Sequence, residues 1–94
     1  MTASAQKTSR KRRTWRSAAR GSPLVDAALV RLGKRARRLR LAKGLSQEDL
    51  AERAALDAKH YQAFEGGQTN VTFATLLGIS RALGVKLSEL LKGV

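Results

Sequence analysis

Helix caps and glycines recur at short intervals along this sequence, and their order limits the fold more than any other feature. Ser22-Pro23 begins a helix, because the Ser hydroxyl can accept from a free N–H group and Pro lacks the N–H that would go unbonded there. Gly44 and Gly84 end helices, because glycine enters left-handed backbone at little cost. No stretch alternates apolar and polar residues in the manner of a β-strand. The sequence therefore predicts an all-α fold, a compact bundle of about five helices.

The first predicted helix runs from Pro23 to Lys43, although Gly33 could divide it in two. One side carries apolar residues at spacings of three and four, which is the pattern of a helix that packs on a core. The other side carries a run of cations without an acid: Arg31, Lys34, Arg35, Arg37, Arg38, Arg40 and Lys43. This is more positive charge than solubility requires.

Three further helices are predicted from their caps. The second covers about Gln47 to Arg53 and follows a capping box at Ser46, and the third covers about Ala58 to Glu65 after Asp57. The fourth follows Thr72. Its predicted inward-facing stripe is Phe73, Leu76, Leu77, Ile79, Ser80 and Leu83.

A short fifth helix closes the sequence. Lys86 stands at its usual capping position, so Ser88 could cap it instead. Little sequence remains to cover its apolar residues, and exposed apolar surface at a chain end favours self-association. We therefore expect a homodimer whose interface contains Leu87, Leu90, Leu91 and Val94.

Positive charge points to a polyanionic partner. The chain has 19 Lys and Arg against 7 Asp and Glu, a formal net charge of +12. Nucleic acid is the commonest such partner, and an anionic membrane surface or an acidic protein is the alternative. Residues 1–21 carry cations, no acid and little apolar surface, which predicts a disordered basic arm before a folded domain at 22–94. The arm residues expected to follow DNA phosphates are Arg10, Lys11, Arg12, Arg13 and Arg16.

Several classes of protein are disfavoured by what the sequence lacks. Without Cys it has neither disulfides nor a thiolate zinc site, and His60 alone makes no metal site or catalytic triad. No glycine-rich phosphate loop follows a strand, so we expect no enzyme, no metal and no cofactor. No apolar run is long enough to span a membrane, and the first twenty residues lack the apolar core of a secretory signal. The Arg- and Ser-rich start is similar to a transit peptide but has no apolar face. We expect a cytoplasmic, nucleoid-associated protein.

Two short helices joined by a tight turn, within a basic all-α domain, are typical of a helix-turn-helix. The stretch GLSQEDLAERAALDAKHYQAFEGGQTN, followed by TLLGISRALGVKLSELL, resembles the XRE/Cro family of regulators. The match covers about Leu32 to Leu91. It implies a lambda-repressor-like DNA-binding domain whose third helix, about 58–65, lies in the major groove of double-stranded DNA.

The resemblance and the helical period together assign roles to residues. Tyr61 and Phe64 match buried positions of the family. Lys59 can donate to guanine and Gln62 can pair with adenine, whereas the two alanines can make only apolar contacts. The predicted base-contacting residues are Ala58, Lys59, Gln62 and Ala63. The predicted phosphate-contacting residues are Ser46, Gln47, His60, Asn70, Thr72 and Lys43. The family pattern also implies an ion pair between Arg40 and Glu65 that holds the third helix against the first.

The function predicted from this assignment is sequence-specific regulation of transcription, as a repressor or autoregulator without catalysis. The spacing F-E-x-x-x-x-N-x-T, Phe64 to Thr72, is similar to HipB-like antitoxins, which would add a toxin partner, and to restriction–modification controller proteins. Val71 departs from the family, which usually has Pro there. The alternative is a protein-interaction module similar to multiprotein bridging factor, with the basic arm contacting a partner.

Overall fold

A computed structural model describes residues 22–94 of the chain. The predictions for the arm, which concern Arg10, Lys11, Arg12, Arg13 and Arg16, lie outside these described residues. The described range contains the helices α1 (Pro23–Ala42), α2 (Gln47–Arg53), α3 (Ala58–Glu65), α4 (Phe73–Leu83) and α5 (Leu87–Leu90), and no strand within it. The predicted all-α bundle is confirmed, and the predicted bounds of α2 and α3 are those observed. Lys43 caps the C-terminal end of α1 instead of belonging to it.

The predicted caps begin four of these helices. Ser22 Oγ accepts from the N–H of Leu24 at 3.2 Å. Ser46 and Asp49 form a reciprocal capping box, with Asp49 N to Ser46 Oγ at 2.9 Å and Ser46 N to Asp49 Oδ2 at 3.1 Å. Asp57 caps α3, and Thr72 Oγ1 accepts from the backbone at the start of α4. These side chains satisfy N–H groups that no helical turn can reach, which fixes where each helix starts.

The core lies where the five helices meet. Its buried apolar residues are Leu32, Ala36, Leu50, Ala51, Tyr61, Phe64, Ile79, Leu83 and Leu90. The predicted inward stripe of α4 is wrong in part, because Phe73 is 66% exposed and Leu77 is 38% exposed. Phe73 is the first residue of α4, whose buried residues Ile79, Ser80 and Leu83 all lie in its second half, so it misses the core.

Gly33 does not divide α1, which is continuous through it. The residue is buried because α3 crosses α1 at this point. A Cβ atom built on Gly33 would lie 2.3 Å from the carbonyl oxygen of Glu65 and 2.7 Å from that of Phe64. A glycine is needed here for the close approach of two backbones.

The fifth helix differs from its prediction. It has four residues, begins at Leu87 without a side-chain cap, and therefore does not use Ser88 as a cap. Leu90 is fully buried in the core, so the expectation that it is exposed for a dimer contact is wrong. Leu91 and Val94 are 37% and 36% exposed, and Leu87 is partly buried against the core.

Candidate nucleic-acid interface

The turn between α2 and α3 sets the direction of α3. Ala55 has a φ of 57°, the left-handed region, and among the described residues it is the non-glycine residue found there. The chain is closed around it by hydrogen bonds from Ala55 N to Glu52 O at 3.1 Å and from Leu56 N to Ala51 O at 2.8 Å. An L-residue in this conformation is strained by about 1–2 kcal/mol. The strained residue allows a connection of four residues, 54–57, between the two helices.

The rear side of α3 is fixed in the core. Tyr61 and Phe64 are buried, as the sequence predicts, with ring centroids 5.9 Å apart. With these two side chains turned inward, Lys59, His60 and Gln62 are exposed. None of the three side chains makes a hydrogen bond or ion pair within residues 22–94, so each is free to meet a ligand.

The two alanines predicted to contact bases are less available. Ala58 and Ala63 are both partly buried, and Ala58 packs against the core. The exposed part of α3 is therefore more polar than the predicted set of four residues, because Lys59 and Gln62 are exposed while the two alanines are not fully so.

Arg40 and Glu65 are in direct contact between α1 and α3. Arg40 Nε lies 2.6 Å from Glu65 Oε2, and Arg40 Nη2 donates to Glu65 Oε1 at 3.1 Å. Arg40 Nη1 also donates to the carbonyl oxygen of Leu45 at 2.8 Å. One guanidinium thus joins α1, the end of α3 and the loop before α2. Both side chains are nearly inaccessible to solvent, at 8% and 4% exposed.

Two further donors complete the surroundings of Glu65. Tyr61 Oη donates to Oε2 at 2.5 Å and Gln47 Nε2 donates to Oε1 at 3.0 Å. Burial opposes ionisation of Glu65, but the hydrogen bonds from Arg40, Tyr61 and Gln47 outweigh it and lower the pKa of the carboxyl group. The hydrogen bond to Glu65 also raises the pKa of Arg40. Burial, followed by the bond to Glu65, raises the pKa of Tyr61. The pair is ionised and Tyr61 is protonated at neutral pH.

The predicted phosphate contacts fall into different surroundings. Gln47 is partly buried and keeps one amide N–H beyond the one it donates to Glu65. The Ser46 and Thr72 hydroxyls both accept as caps, and Thr72 also donates to Thr75 Oγ1 at 3.0 Å. The Lys43 ammonium lies beside Gly84, at the C-terminal end of α4. Asn70 is exposed in the loop before α4, where its carbonyl oxygen accepts from Thr69 Oγ1 at 3.1 Å.

A polar cleft of about 410 Å³ brings some of these residues together. Its lining residues are Arg37, Arg40, Gln47, Gln62, Glu65 and Gly66. Gln62, a predicted base contact, and Gln47, a predicted phosphate contact, therefore share one cleft. Arg37 completes it and was not among the predicted site residues. Its position three residues before Arg40, one helical turn away on the same side, is the signal that could have identified it.

Neither a metal site nor a membrane-spanning helix is found among the described residues. No group of three or more His, Cys, Asp or Glu side chains among them could hold a metal ion. Within the same range, no helix combines the length and the apolar content that a membrane crossing needs.

Comparison with known proteins agrees with this geometry. The sequence model of a family described as helix-turn-helix matches residues 37–90. Control protein C.MunI of a Mycoplasma species is 39% identical over 66 residues, which are 69% of this chain and 89% of that protein. The HTH-type transcriptional regulator y4dJ of Sinorhizobium fredii is 37% identical over 59 residues, 63% of this chain and 77% of its own length.

A solved structure is similar as well. The restriction–modification controller protein C.AhdI from Aeromonas hydrophila superposes with a TM-score of 0.67 at 45% identity, over 68% of this chain and 97% of that one. These findings confirm the predicted XRE/Cro resemblance and favour transcription regulation over the bridging-module alternative. The chain therefore belongs to the helix-turn-helix family of the XRE type, whose members are DNA-binding transcriptional regulators.

Proposed function

We propose that this regulator recognises a specific double-stranded DNA sequence through α3 and represses or otherwise regulates transcription of its own gene. The observation that carries the proposal is that one side of α3 is buried in the core while the opposite side is exposed. Tyr61, Phe64 and Glu65 are buried, while Lys59 and Gln62 project without a partner in the described range. A helix held in this way can present the same two polar side chains to successive DNA sequences, which direct readout requires.

The polar cleft beside α3 supplies a place for the DNA backbone. Arg37 is exposed, and Gln47 faces it with a remaining amide N–H. We propose that a backbone phosphate lies in this cleft, contacted by both side chains, when Gln62 meets a base edge. Phosphate contacts of this kind fix the register of a protein on DNA, while base contacts choose the sequence. Ser46, His60, Asn70 and Thr72 remain proposed phosphate contacts along the same surface.

Direct readout is tested by selecting bound sequences from a random DNA pool and then measuring affinity for the selected operator. The variant Lys59→Ala/Gln62→Ala should lose affinity for the operator by about 1–3 kcal/mol per bidentate contact and keep its affinity for unrelated DNA. The matched control Lys86→Ala/Ser88→Ala removes one cation and one polar group at the start of α5 and should leave operator binding unchanged. Equal affinity of the double variant and the control for the operator would show that α3 does not read bases.

A homodimer is proposed from the apolar surface at the end of the chain. Leu91 and Val94 expose apolar surface there, and Leu87 lies at its edge. Two copies related by a two-fold axis would present two α3 helices to half-sites about one helical turn of DNA apart.

The biological setting is proposed from the relatives. C.AhdI is a restriction–modification controller protein and C.MunI is a control protein. We therefore propose that this chain controls genes of a restriction–modification pair, acting on DNA in the cytoplasm and nucleoid without catalysis or a cofactor. A toxin partner, which an antitoxin would need, stays a prediction, since the names of the relatives described above mention none. The gene next to this one distinguishes the two, because it would encode either a restriction enzyme or a toxin.

A further inference from the structure

A cationic cleft of about 240 Å³ lies between α1 and the turn that follows α5. Its lining residues are Arg31, Lys34, Arg35, Arg38, Lys92 and Gly93. They include five cations, no acid and no apolar side chain. None of them belongs to the surface proposed above to contact the operator.

The cleft opens on a side of α1 different from the side that contacts α3. Gly33 marks the direction of α3, because its backbone touches the end of that helix. At about 100° per residue, Arg38 lies about 140° and Arg31 about 160° round α1 from Gly33. A duplex held by Lys59 and Gln62 therefore leaves this cleft uncovered.

Hydrogen bonds to the C-terminal turn hold two walls of the cleft in place. Arg31 Nε and Nη2 both donate to the main-chain oxygen of Val94, at 3.2 and 3.0 Å. Arg35 Nε donates to the carbonyl oxygen of Glu89 at 3.2 Å, and its guanidinium forms an ion pair with the Glu89 carboxylate. Of the five cations that line the cleft, Lys34, Arg38 and Lys92 are exposed and have no hydrogen bond or ion pair within residues 22–94. Three unpaired positive charges therefore lie around a cleft whose other two cations are held in place by hydrogen bonds.

The composition of the cleft indicates which polyanion fits. Stable protein–protein interfaces have aromatic or aliphatic anchors at their centre, and this cleft offers none. Protein–DNA interfaces are polar and strongly positive, and duplex DNA presents about one negative charge per 1.7 Å of its axis. We propose that this cleft binds the sugar–phosphate backbone of a second DNA segment while α3 occupies the operator. Lys34, Arg38 and Lys92 contact its phosphates without reading sequence, and the protein thereby links two DNA segments.

The test is capture of a second duplex. The selected operator is fixed on beads and loaded with the full chain, and a fluorescent duplex of unrelated sequence is then added at increasing salt. The cleft variant is Lys34→Gln/Arg38→Gln/Lys92→Gln. Its control, Arg53→Gln/Arg81→Gln/Lys86→Gln, removes the same charge from exposed cations outside the cleft. The salt slope of capture should fall by about 2.7 in the cleft variant, three phosphate contacts at about 0.9 each, and stay at the wild-type value in the control.

Three outcomes separate the proposal from its rivals. Both variants should bind the bead-bound operator alike, so loss of capture in the cleft variant alone supports the proposal. Capture by the cleft variant with the wild-type salt slope overturns it. Loss of binding to a labelled poly-glutamate chain, with capture of DNA retained, also overturns it and assigns the cleft to an acidic protein. The cleft proposal takes from the proposed function only the position of the first duplex. If the selection yields no preferred sequence, readout by α3 fails, and the same capture on a random duplex still tests the cleft.

Discussion

Replacing Glu65 by Gln should destabilise the fold strongly, although it exchanges only one oxygen atom of the side chain for an amide nitrogen. The substitution keeps the size of the side chain but removes its charge, while Arg40, 7% exposed, stays buried beside it. Breaking a buried ion pair in this way costs about 3–5 kcal/mol. Because the amide oxygen of the new side chain can still accept from Tyr61, we expect a loss near the lower value, about 3 kcal/mol. For a domain of this size that lowers Tm by more than about 10 °C.

The acid dependence of stability gives the same prediction a second measurement. The pKa of Glu65 is lowered in the folded chain, so its contribution to stability is fully present above its unfolded pKa of about 4.3. That contribution is lost as pH falls from this value through the folded pKa, because in this range the unfolded state binds the proton more readily than the folded state. The Glu65→Gln variant has no such group. The difference in unfolding free energy between wild type and variant should therefore be constant near neutral pH and shrink below about pH 4.

Urea denaturation followed by circular dichroism, repeated from neutral to acid pH, measures both quantities. Glu52→Gln is the control, since Glu52 is an exposed acid in α2 whose side chain has no hydrogen bond or ion pair in the described range, and it should change stability by less than about 0.5 kcal/mol. Asp49, whose pKa is lowered first by its hydrogen bond from the backbone of Ser46, affects all three proteins alike. A loss below about 1 kcal/mol, or a difference that persists unchanged in acid, would refute the role given to the pair.

Three further predictions follow from backbone geometry and exposure. Gly33→Ala should destabilise by about 2 kcal/mol in the same denaturation assay, because its Cβ would overlap the Glu65 carbonyl oxygen, whereas Gly78→Ala, with nothing nearer than 3.5 Å, should stabilise α4 by up to about 1 kcal/mol. Equal effects at the two glycines would contradict the close crossing of α1 and α3. Ala55→Gly should raise stability by about 0.5 kcal/mol in thermal melts, since relief of the left-handed strain exceeds the added entropy of the unfolded chain, and a lowered Tm would contradict it. Leu91→Lys should shift the protein to monomers in sedimentation equilibrium without loss of helix content, and an unchanged mass would contradict the proposed interface.

The starts of the first four helices were predictable because their causes are local. Ser46 and Asp57 bond N–H groups two or three residues away, so the sequence contains both partners of each contact. The burial of Tyr61 and Phe64 was predictable for a similar reason, since the helical period places them together.

What the sequence could not supply depends on how the helices cross. Gly33 reads as a helix breaker until the backbone of Glu65 is seen against it. Phe73 fits an apolar stripe by its spacing, but it is the first residue of α4 and its side chain is exposed there. The sequence leaves Leu90 with little that could cover it. In the structure, hydrogen bonds from the guanidinium groups of Arg31 and Arg35 hold the C-terminal turn against α1. Each of these facts needs a contact between residues far apart in the chain.

The network around Glu65 couples the orientation of α3 to the proposed DNA contact. Gln47 donates to the carboxylate that Arg40 and Tyr61 also hold, and it lines the cleft in which we place a phosphate. A phosphate there need not displace the hydrogen bond from Gln47 to Glu65, because that bond uses only one of the two amide N–H groups of Gln47. Gln47, which we propose contacts the DNA backbone, is therefore held by the Glu65 carboxylate. The same carboxylate holds the end of α3. Since Lys59 and Gln62 are the two exposed side chains of α3 that we propose meet base edges, rigid placement of these two side chains has to provide much of the specificity that a longer set of contacts would otherwise provide.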